Sequence, residues 1–221
     1  MRGVSQLLFD YIISFETTNT CLFEVARSLA RLGPTCVVLY DTGARTTMVK
    51  KVTFKICVVG PKTCGKTLLC KLLAEQVCHN IEYQPTAGLR IQELELMHKG
   101  RNFQVQLWDC SGDPTYEKYF NVLAKNTNGV LLVHNACKDQ ESELEVFYRL
   151  FAQPNKLAMS QVAIIGTTLG DSKATVPLQR KLKSLDHFQM DLSSLLGNEN
   201  SGRAMSLLKP KLDSMFDTML G

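Results

Sequence analysis

Residues 52–67 read Val52-Thr-Phe-Lys-Ile-Cys-Val-Val-Gly60-Pro-Lys-Thr-Cys-Gly65-Lys66-Thr67, an apolar run followed by a turn between two glycines. The run predicts a buried β-strand, and residues 60–67 fit the pattern GxxxxGK[ST], which opens a helix. Backbone N–H groups of such a loop converge on phosphates at a helix N-terminus, where the helix dipole adds favourable potential. The stretch therefore predicts an α/β fold with a phosphate-binding loop.

Two side chains of this loop have distinct predicted roles. The Lys66 ammonium reaches the outer phosphates of a nucleotide, and the Thr67 hydroxyl ligates Mg²⁺. The open alternative is a decayed loop that preserves the fold and binds nothing. Further nucleotide contacts are predicted from the rest of the loop and the first helical turn, at Gly60, Lys62, Thr63, Cys64, Gly65 and Leu68.

Two later segments lie where a nucleotide-dependent switch would need them. In Tyr83-Gln-Pro-Thr86-Ala-Gly88, Thr86 can reach Mg²⁺ when a third phosphate is present. In Trp108-Asp109-Cys-Ser-Gly112-Asp113, Asp109 can hold the water shell of the metal, and the Gly112 amide can sense the terminal phosphate. Each motif alone is weak, but their order and their positions beside predicted strands indicate a switching nucleotide-binding protein.

Strands and helices alternate along the rest of the chain. The apolar patterns predict strands at residues 52–59, 89–97, 103–109, 129–134 and 161–166, and helices at 65–78, 141–152 and 203–220. Residues 99–102 predict a hairpin turn, the slip in alternation at Glu93 predicts a β-bulge, and Pro210 predicts a kink in the last helix. The alternation predicts a mostly parallel sheet covered by helices on both faces.

The distribution of lysine divides the 221-residue chain. All sixteen lysines lie at Lys50 or later, whereas residues 1–47 contain four arginines, four acidic residues and no lysine. This difference predicts an N-terminal extension over residues 1–47, either disordered or preceding the true start at Met48, and one domain over residues 48–221. The net charge of +4 comes from scattered residues, which argues against a nucleic-acid partner.

The cysteines indicate a reducing compartment. Eight cysteines without a CxxC pair, and four histidines that share no ligand spacing with them, predict reduced thiols in a cytoplasmic protein and no zinc site. No apolar stretch is long enough for a membrane span. Because no glycine follows Met1 and residues 216–221 contain no cysteine, neither a myristoyl nor a prenyl anchor is expected.

Through these motifs, residues 50–221 resemble the Ras/Rab superfamily of small GTPases. The stretches that begin at Met48, Glu82 and Leu107 look most like the Rab-like subunit 22 family of the intraflagellar transport B complex. The resemblance implies a P-loop small G-domain with a six-stranded sheet, GTP/GDP and Mg²⁺ as ligands, and metal contacts from Thr67, Thr86 and Asp109. It also implies the coiled-coil subunits 74 and 81 of that complex as partners, in the cytoplasm and in the cilium or flagellum and its base.

Two departures from the superfamily pattern concern hydrolysis. Asp113, the predicted catalytic position, stands where efficient small GTPases place a water-orienting glutamine, and it adds negative charge beside the polyphosphate. Lys62 and Thr63 occupy loop positions that are usually glycine or another small residue. Lys62 would crowd an incoming arginine finger or would supply positive charge itself, and both alternatives stay open. Slow hydrolysis is expected.

A third departure concerns the base. Residues 163–171 read Ala-Ile-Ile-Gly-Thr-Thr-Leu-Gly-Asp, and Asp171 comes one position later than the guanine-binding aspartate of an NKxD motif. Thr168 and Asp171 are the predicted base contacts, and no alanine-bearing SAK loop is recognisable around residues 193–195. Base selectivity is therefore expected to be weak or unconventional, with guanine and adenine both open.

Three functions are consistent with these residues. The first is an atypical GTP-binding transport subunit with weak hydrolysis, in which the third phosphate orders residues 80–90 and 110–120 for docking onto a coiled coil. The second is an active P-loop enzyme, either a GTPase in vesicle trafficking or an ATP-using kinase. Arg149 alone does not make the arginine-bearing lid that a kinase needs. The third is a nucleotide-free scaffold.

Overall fold

The computed structural model describes residues 35–39, 48–76, 83–170, 182–196 and 202–221, with the backbone alone up to residue 51. The chain divides into two units, Met1–Thr53 and Phe54–Gly221. In the first unit, strand β1 (Thr35–Leu39) pairs antiparallel with the beginning of β2 (Met48–Val59). The division into an extension over residues 1–47 and a domain over residues 48–221 stays a prediction.

Six strands form the main sheet. The strands after β2 are β3 (Leu89–His98), β4 (Arg101–Cys110), β5 (Gly129–Asn135), β6 (Val162–Thr168) and β7 (Asp186–Asp191). Their order in the sheet is β3–β4–β2–β5–β6–β7. β2 is parallel to β5, β5 to β6 and β6 to β7, whereas β3 and β4 are antiparallel. The predicted α/β fold with a six-stranded, mostly parallel sheet is therefore confirmed.

Helices of different lengths connect the strands. The predicted helix over residues 65–78 ends at Leu73, because Glu75 has a left-handed backbone conformation (φ 53°) that an α-helix cannot contain; residues 77 and 78 lie outside the described ranges. None of the helices in the described part of the chain combines the length and apolarity needed to cross a membrane. The α-helices described are α1 (Lys66–Leu73), α2 (Glu117–Leu123), α3 (Glu141–Phe147) and α4 (Arg203–Leu220).

Shorter helical turns complete these elements. A π-helical turn over Tyr148–Ala152 continues α3 to the predicted end of that helix. Helix α4 contains Pro210 in its interior, and the kink there stays a prediction. Single 3₁₀ turns cover Pro114–Tyr116, Met159–Gln161 and Ser193–Leu195.

The β3–β4 hairpin closes through a two-residue turn. His98 pairs with Arg101, and the two residues between them, Lys99 and Gly100, both have positive φ angles, 47° and 74°. A type I′ hairpin turn requires this conformation at both central positions, and glycine adopts it without steric penalty. The predicted hairpin is therefore present, with its turn at the first two of the four residues 99–102.

The predicted bulge at Glu93 is wrong. Pairing between β3 and β4 continues without interruption from Leu89 opposite Cys110 to the turn. The sequence pattern slips because a polar residue, Gln92, occupies a buried position of β3. Its side-chain amide nitrogen donates a hydrogen bond to the Gln76 side chain (3.1 Å), which compensates in part for the burial of this polar group.

Helices cover both faces of the sheet. The core of the first face combines residues of α1, α4 and the central strands, including Leu69, Leu73, Leu212, Phe216, Ile56, Val58, Leu131 and Val133. The strand residues that alternate with these core positions point to the second face, because successive side chains of a strand lie on opposite faces. On the second face the rings of Phe120, Phe147 and Phe151, from α2, α3 and the π-helical turn, lie 5.5–6.5 Å apart.

A buried histidine joins the end of β3 to α4. The His98 ring packs against Phe216, and its nitrogens lie within hydrogen-bonding distance of two carboxylates, Nδ1 2.8 Å from Asp213 and Nε2 2.7 Å from Asp217. Burial alone would raise the pKa of Asp213, but hydrogen bonds from Lys209 and His98 outweigh it and lower that pKa. Lys99 and His98 lower the pKa of Asp217 in the same way.

We expect Asp213→Asn to destabilise the protein at neutral pH and to matter little in acid. A carboxyl whose pKa is lower in the folded state contributes stability above its unfolded pKa of about 3.9, and that contribution is lost as the pH falls through the folded pKa. The melting temperature at pH 7 should fall by roughly 2–5 °C. The difference from wild type should shrink between pH 5 and pH 3.

Thermal unfolding of wild type and variant over this pH range tests the expectation. Glu143→Gln, which removes an exposed carboxylate of α3, is the matched control and should change the melting temperature little at any pH. A loss of stability in Asp213→Asn that is as large at pH 3 as at pH 7 would show that the carboxylate charge is not responsible.

Candidate functional site

The loop over residues 60–65 joins β2 to α1 and depends on glycine at both ends. Gly60 has φ 150°, and a Cβ atom there would lie 1.9 Å from the Val133 carbonyl oxygen of β5. Gly65 has a left-handed conformation (φ 81°) immediately before the first residue of α1. A side chain at position 60 would force the loop away from β5, so these glycines hold the loop against the sheet at the N-terminus of α1.

Lys66 is the first residue of α1, and its side chain folds back across the loop. The buried ammonium donates to the carbonyl oxygens of Gly60 (2.9 Å) and Pro61 (2.6 Å). From the other side, the Thr167 hydroxyl of β6 donates to the Cys64 carbonyl oxygen (2.7 Å). A buried cation whose partners are neutral groups, here two carbonyls and the Cys64 thiol (3.7 Å), attracts an anion strongly, so the predicted contact of Lys66 with phosphate fits its position.

Three oxygen-bearing side chains converge beside the loop. Thr67 of α1 donates from its hydroxyl to the Asp109 carboxylate of β4 (2.6 Å), and its oxygen lies 2.9 Å from the hydroxyl of Thr86, which precedes β3. The Thr86 hydroxyl lies 3.4 Å from the same carboxylate oxygen. The structure therefore brings together the three residues predicted to bind a metal from three separate parts of the sequence.

The environment of Asp109 fits a hard cation. The residue is fully buried, and its second oxygen, Oδ1, accepts no hydrogen bond from the described residues. Burial raises the pKa of Asp109, although the hydrogen bond from Thr67 and the charge of Lys66 act against it. One carboxylate and two hydroxyls form the kind of oxygen set that Mg²⁺ accepts together with phosphate oxygens and water.

Gly112 brings the segment after β4 against the phosphate loop. A Cβ atom at this position would lie 2.5 Å from the Gly60 carbonyl oxygen and 2.7 Å from the Lys62 amide nitrogen. One residue earlier, the Ser111 amide donates to the Gly88 carbonyl oxygen (2.8 Å). The two segments predicted to respond to a third phosphate are therefore hydrogen-bonded to each other, and the segment after β4 contacts the phosphate loop.

Asp113 is engaged on two sides. Its carboxylate forms an ion pair with the Lys62 ammonium (2.8 Å) and accepts a hydrogen bond from the Thr115 amide (3.0 Å), which caps the 3₁₀ turn Pro114–Tyr116. The hydrogen bonds from Lys62 and the Thr115 amide lower the pKa of Asp113 to about 2. A carboxylate with so low a pKa is a poor proton acceptor. The catalytic role of Asp113 stays a prediction.

The remaining predicted contacts of the loop differ in orientation. Thr63 is exposed and left-handed (φ 58°), and its hydroxyl donates to the Lys62 carbonyl oxygen (2.7 Å). The Cys64 thiol is buried and points to the Val133 carbonyl oxygen (3.2 Å), and Leu68 packs against the core. Cys64 and Leu68 can therefore meet a ligand only through their backbone.

The loop after β7 lies beside the end of β6, where a base would bind. The Leu192 amide donates to the Thr168 carbonyl oxygen (3.0 Å), and the Gly170 amide donates to the Ser193 hydroxyl (2.9 Å). The Asp191 carboxylate holds Ser193 through the hydroxyl (2.6 Å). Ser193 carries no sequence signal of this role, because its partner Gly170 is more than 20 residues away. The predicted contact Asp171 lies outside the described residues.

Comparisons with known proteins agree on one kind of protein. The family model for Roc, the Ras of Complex domain of DAPkinase, matches residues 55–170. The chain is 46% identical to intraflagellar transport protein 22 of Chlamydomonas reinhardtii over 114 residues, which are 50% of this chain and 59% of that protein. It is 36% identical to the Homo sapiens homolog of that protein over 140 residues, 59% of this chain and 75% of the relative.

A solved structure has the same fold. The GTP-bound crystal structure of T. brucei IFT22/74/81 matches with a TM-score of 0.55 and 25% sequence identity, over 75% of this chain and 98% of the matched chain. The chain thus spans about three fifths of the Chlamydomonas relative, three quarters of the human one and nearly all of the matched trypanosome chain.

Proposed function

Because the chain belongs to the intraflagellar transport protein 22 family of Ras-like GTPase domains, we propose that it is a GTP-binding subunit of the intraflagellar transport B machinery in the cilium or flagellum. The observation that carries the proposal is the convergence of Thr67, Thr86 and Asp109 beside the phosphate loop, whose first two carbonyl oxygens hold the Lys66 ammonium. These side chains come from α1, the segment before β3 and the end of β4, and each bears a group that a magnesium–triphosphate needs.

Magnesium and phosphate divide these groups between them. Thr67, Thr86 and Asp109 would hold Mg²⁺, which would supply positive charge to neutralise part of the charge of the outer phosphates. Lys66 and the backbone N–H groups of residues 62–68 would hold the phosphates, and the Gly112 amide would face the third one. The GTP present in the trypanosome structure supports a guanine nucleotide, with Thr168, Asp171 and the Ser193 loop as proposed base contacts.

A nucleotide-free scaffold explains this geometry less well. Such a protein would gain little from a buried lysine whose partners are two carbonyls and a thiol, or from a buried carboxylate with one oxygen that accepts no hydrogen bond from the described residues. Both features are unfavourable in the absence of a ligand, because buried charge needs compensation. Their presence at the same site supports a protein that still binds a charged ligand.

The proposed partners are the coiled-coil proteins 74 and 81 of intraflagellar transport, which the matched trypanosome structure contains. We place their docking surface on residues 83–88 and 110–120, whose two parts are joined by the bond from Ser111 to Gly88. The third phosphate orders this surface through Thr86 and Gly112. Hydrolysis is slow, because the Asp113 carboxylate adds negative charge beside the polyphosphate and, when ionised, cannot donate a hydrogen bond to orient water as a glutamine does.

Tyr83→Ala tests this docking surface. Tyr83 is 57% exposed and begins the first of the two segments, so its ring is available to a partner and its loss should not disturb the core. We expect the variant to bind GTP within about twofold of wild type and to bind proteins 74 and 81 of the same organism about tenfold more weakly, as is typical when a large interface aromatic is truncated.

Calorimetric titration of the paired coiled-coil proteins into the full chain, loaded with GTP, loaded with GDP or free of nucleotide, gives the partner affinity, and a separate titration with GTP gives the nucleotide affinity. Met159→Ala is the matched control, because Met159 is 61% exposed and lies in the 3₁₀ turn before β6, at the opposite end of the strand from the phosphate loop. Wild-type binding that is equally tight with GTP, with GDP and without nucleotide would contradict the proposed function.

A further inference from the structure

An ion pair joins the phosphate loop to the segment after β4. The Lys62 ammonium and the Asp113 carboxylate are 2.8 Å apart, and 51% and 31% of their side chains are exposed. Their backbones are close as well, because Gly112, the residue before Asp113, packs against the Lys62 amide. The pair therefore links the phosphate loop directly to the segment that follows β4.

The same carboxylate holds the next turn of the chain. Asp113 accepts hydrogen bonds from the Thr115 amide (3.0 Å) and the Thr115 hydroxyl (3.0 Å), and so caps the turn Pro114–Tyr116 that leads into α2. Any change in the partner of Asp113 is thus felt by this turn. Lys62, Asp113 and Thr115 form one connected unit from the phosphate loop to the start of α2.

A third phosphate would compete with Asp113 for Lys62. Two anions, the carboxylate and the phosphate, would then lie at one ammonium, and the phosphate carries the larger charge. A half-exposed ion pair contributes little free energy, whereas a charge-assisted hydrogen bond to phosphate is strong. A nucleoside diphosphate lacks the competing group and leaves the ion pair intact.

We propose that Lys62 is a specificity-determining residue that favours nucleoside triphosphates over diphosphates by passing from Asp113 to the third phosphate. This inference rests on the proposed function, and it adds a sensor beyond the metal-linked threonine and the Gly112 amide. Loss of the ion pair frees the Asp113 carboxylate from the loop, and the turn Pro114–Tyr116 then moves with the nucleotide state. Lys62 acts by position and charge, and no bond to phosphorus is made or broken in this step.

Affinities for fluorescent GTP and GDP analogues, measured on the full chain at fixed Mg²⁺ and ionic strength, test the proposal. For Lys62→Gln we expect GTP affinity to fall about tenfold or more and GDP affinity to fall at least three times less. For Asp113→Asn we expect the preference for GTP over GDP to rise about threefold or more, because the competing charge is gone while asparagine can still cap the turn. Lys125→Gln, at an exposed lysine beyond α2, is the control for loss of one positive charge.

Hydrogen exchange of residues 113–117 gives a second readout. The exchange rate of this turn in wild type should differ between a GTP analogue and GDP, because the partner of Asp113 changes, and Lys62→Gln should lose that difference. Equal losses of GTP and GDP affinity in Lys62→Gln, or the same exchange difference in both proteins, would overturn the proposal and leave the proposed function standing. Failure of the wild type to bind either nucleotide would instead refute the proposed function.

Discussion

Lys66→Met is expected to lower the affinity for GTP by at least about 100-fold, because two or more hydrogen bonds from the ammonium to phosphate are lost at about 1.5–3 kcal/mol each. Methionine removes the ammonium and keeps an unbranched side chain of similar length, so the substitution tests the charge and its hydrogen bonds. In the folded protein the ammonium lies against the Gly60 and Pro61 carbonyl oxygens, at the centre of the loop. Among the described lysines, Lys66 is the one whose ammonium donates to carbonyl oxygens of the phosphate loop.

The binding of a fluorescent GTP analogue, with thermal unfolding measured in parallel, separates loss of binding from loss of folding. Lys71→Met changes the same residue type in the same helix, at its last turn, and should bind GTP within about twofold of wild type. If Lys66→Met kept an affinity within threefold of wild type while folding normally, the loop would not be a phosphate site.

The phosphate loop could be predicted from the sequence because its signal is local. A strand of buried residues, two glycines and the residues Lys66 and Thr67 all lie within 16 consecutive positions, and the structure places them as that pattern requires. The strands β5 and β6 were predictable for the same reason, since each contains an uninterrupted run of four apolar residues and six of its seven residues are buried. In such segments, local pattern and final burial coincide.

The remaining features depend on contacts between distant parts of the chain. Strand β7 has one buried residue, Met190, and so lacks an apolar pattern that could predict it. The slip in the apolar alternation that suggested a bulge at Glu93 is explained by the buried Gln92 side chain and its hydrogen bond to Gln76, which follows α1. The pairing of Lys62 with Asp113 joins residues about 50 positions apart, and no spacing rule in a single sequence links them. Sequence therefore predicts which groups the site contains better than it predicts which of them touch.

Asp109→Asn is expected to have opposite effects on stability and on binding. An ionised carboxylate whose pKa is raised by burial destabilises the folded state above its unfolded pKa, so the neutral amide should raise the melting temperature of the nucleotide-free protein by a few degrees. The amide oxygen can still accept the hydrogen bond from Thr67. Mg²⁺, however, loses the only carboxylate among its proposed ligands, so magnesium-dependent GTP binding should be lost.

The two effects have to be measured together, because stabilisation without loss of binding would mean that Asp109 is merely an unfavourable buried charge. We expect Mg²⁺ to raise the GTP affinity of wild type at least tenfold over an EDTA-treated sample, and to raise that of Asp109→Asn less than threefold. Asp139→Asn, at an exposed carboxylate after β5, should leave both the melting temperature and the Mg²⁺ effect near those of wild type. A full Mg²⁺ response in Asp109→Asn would show that Asp109 is not a ligand of the metal. A lower melting temperature of the variant would show that the carboxylate already has a compensating partner in the folded protein.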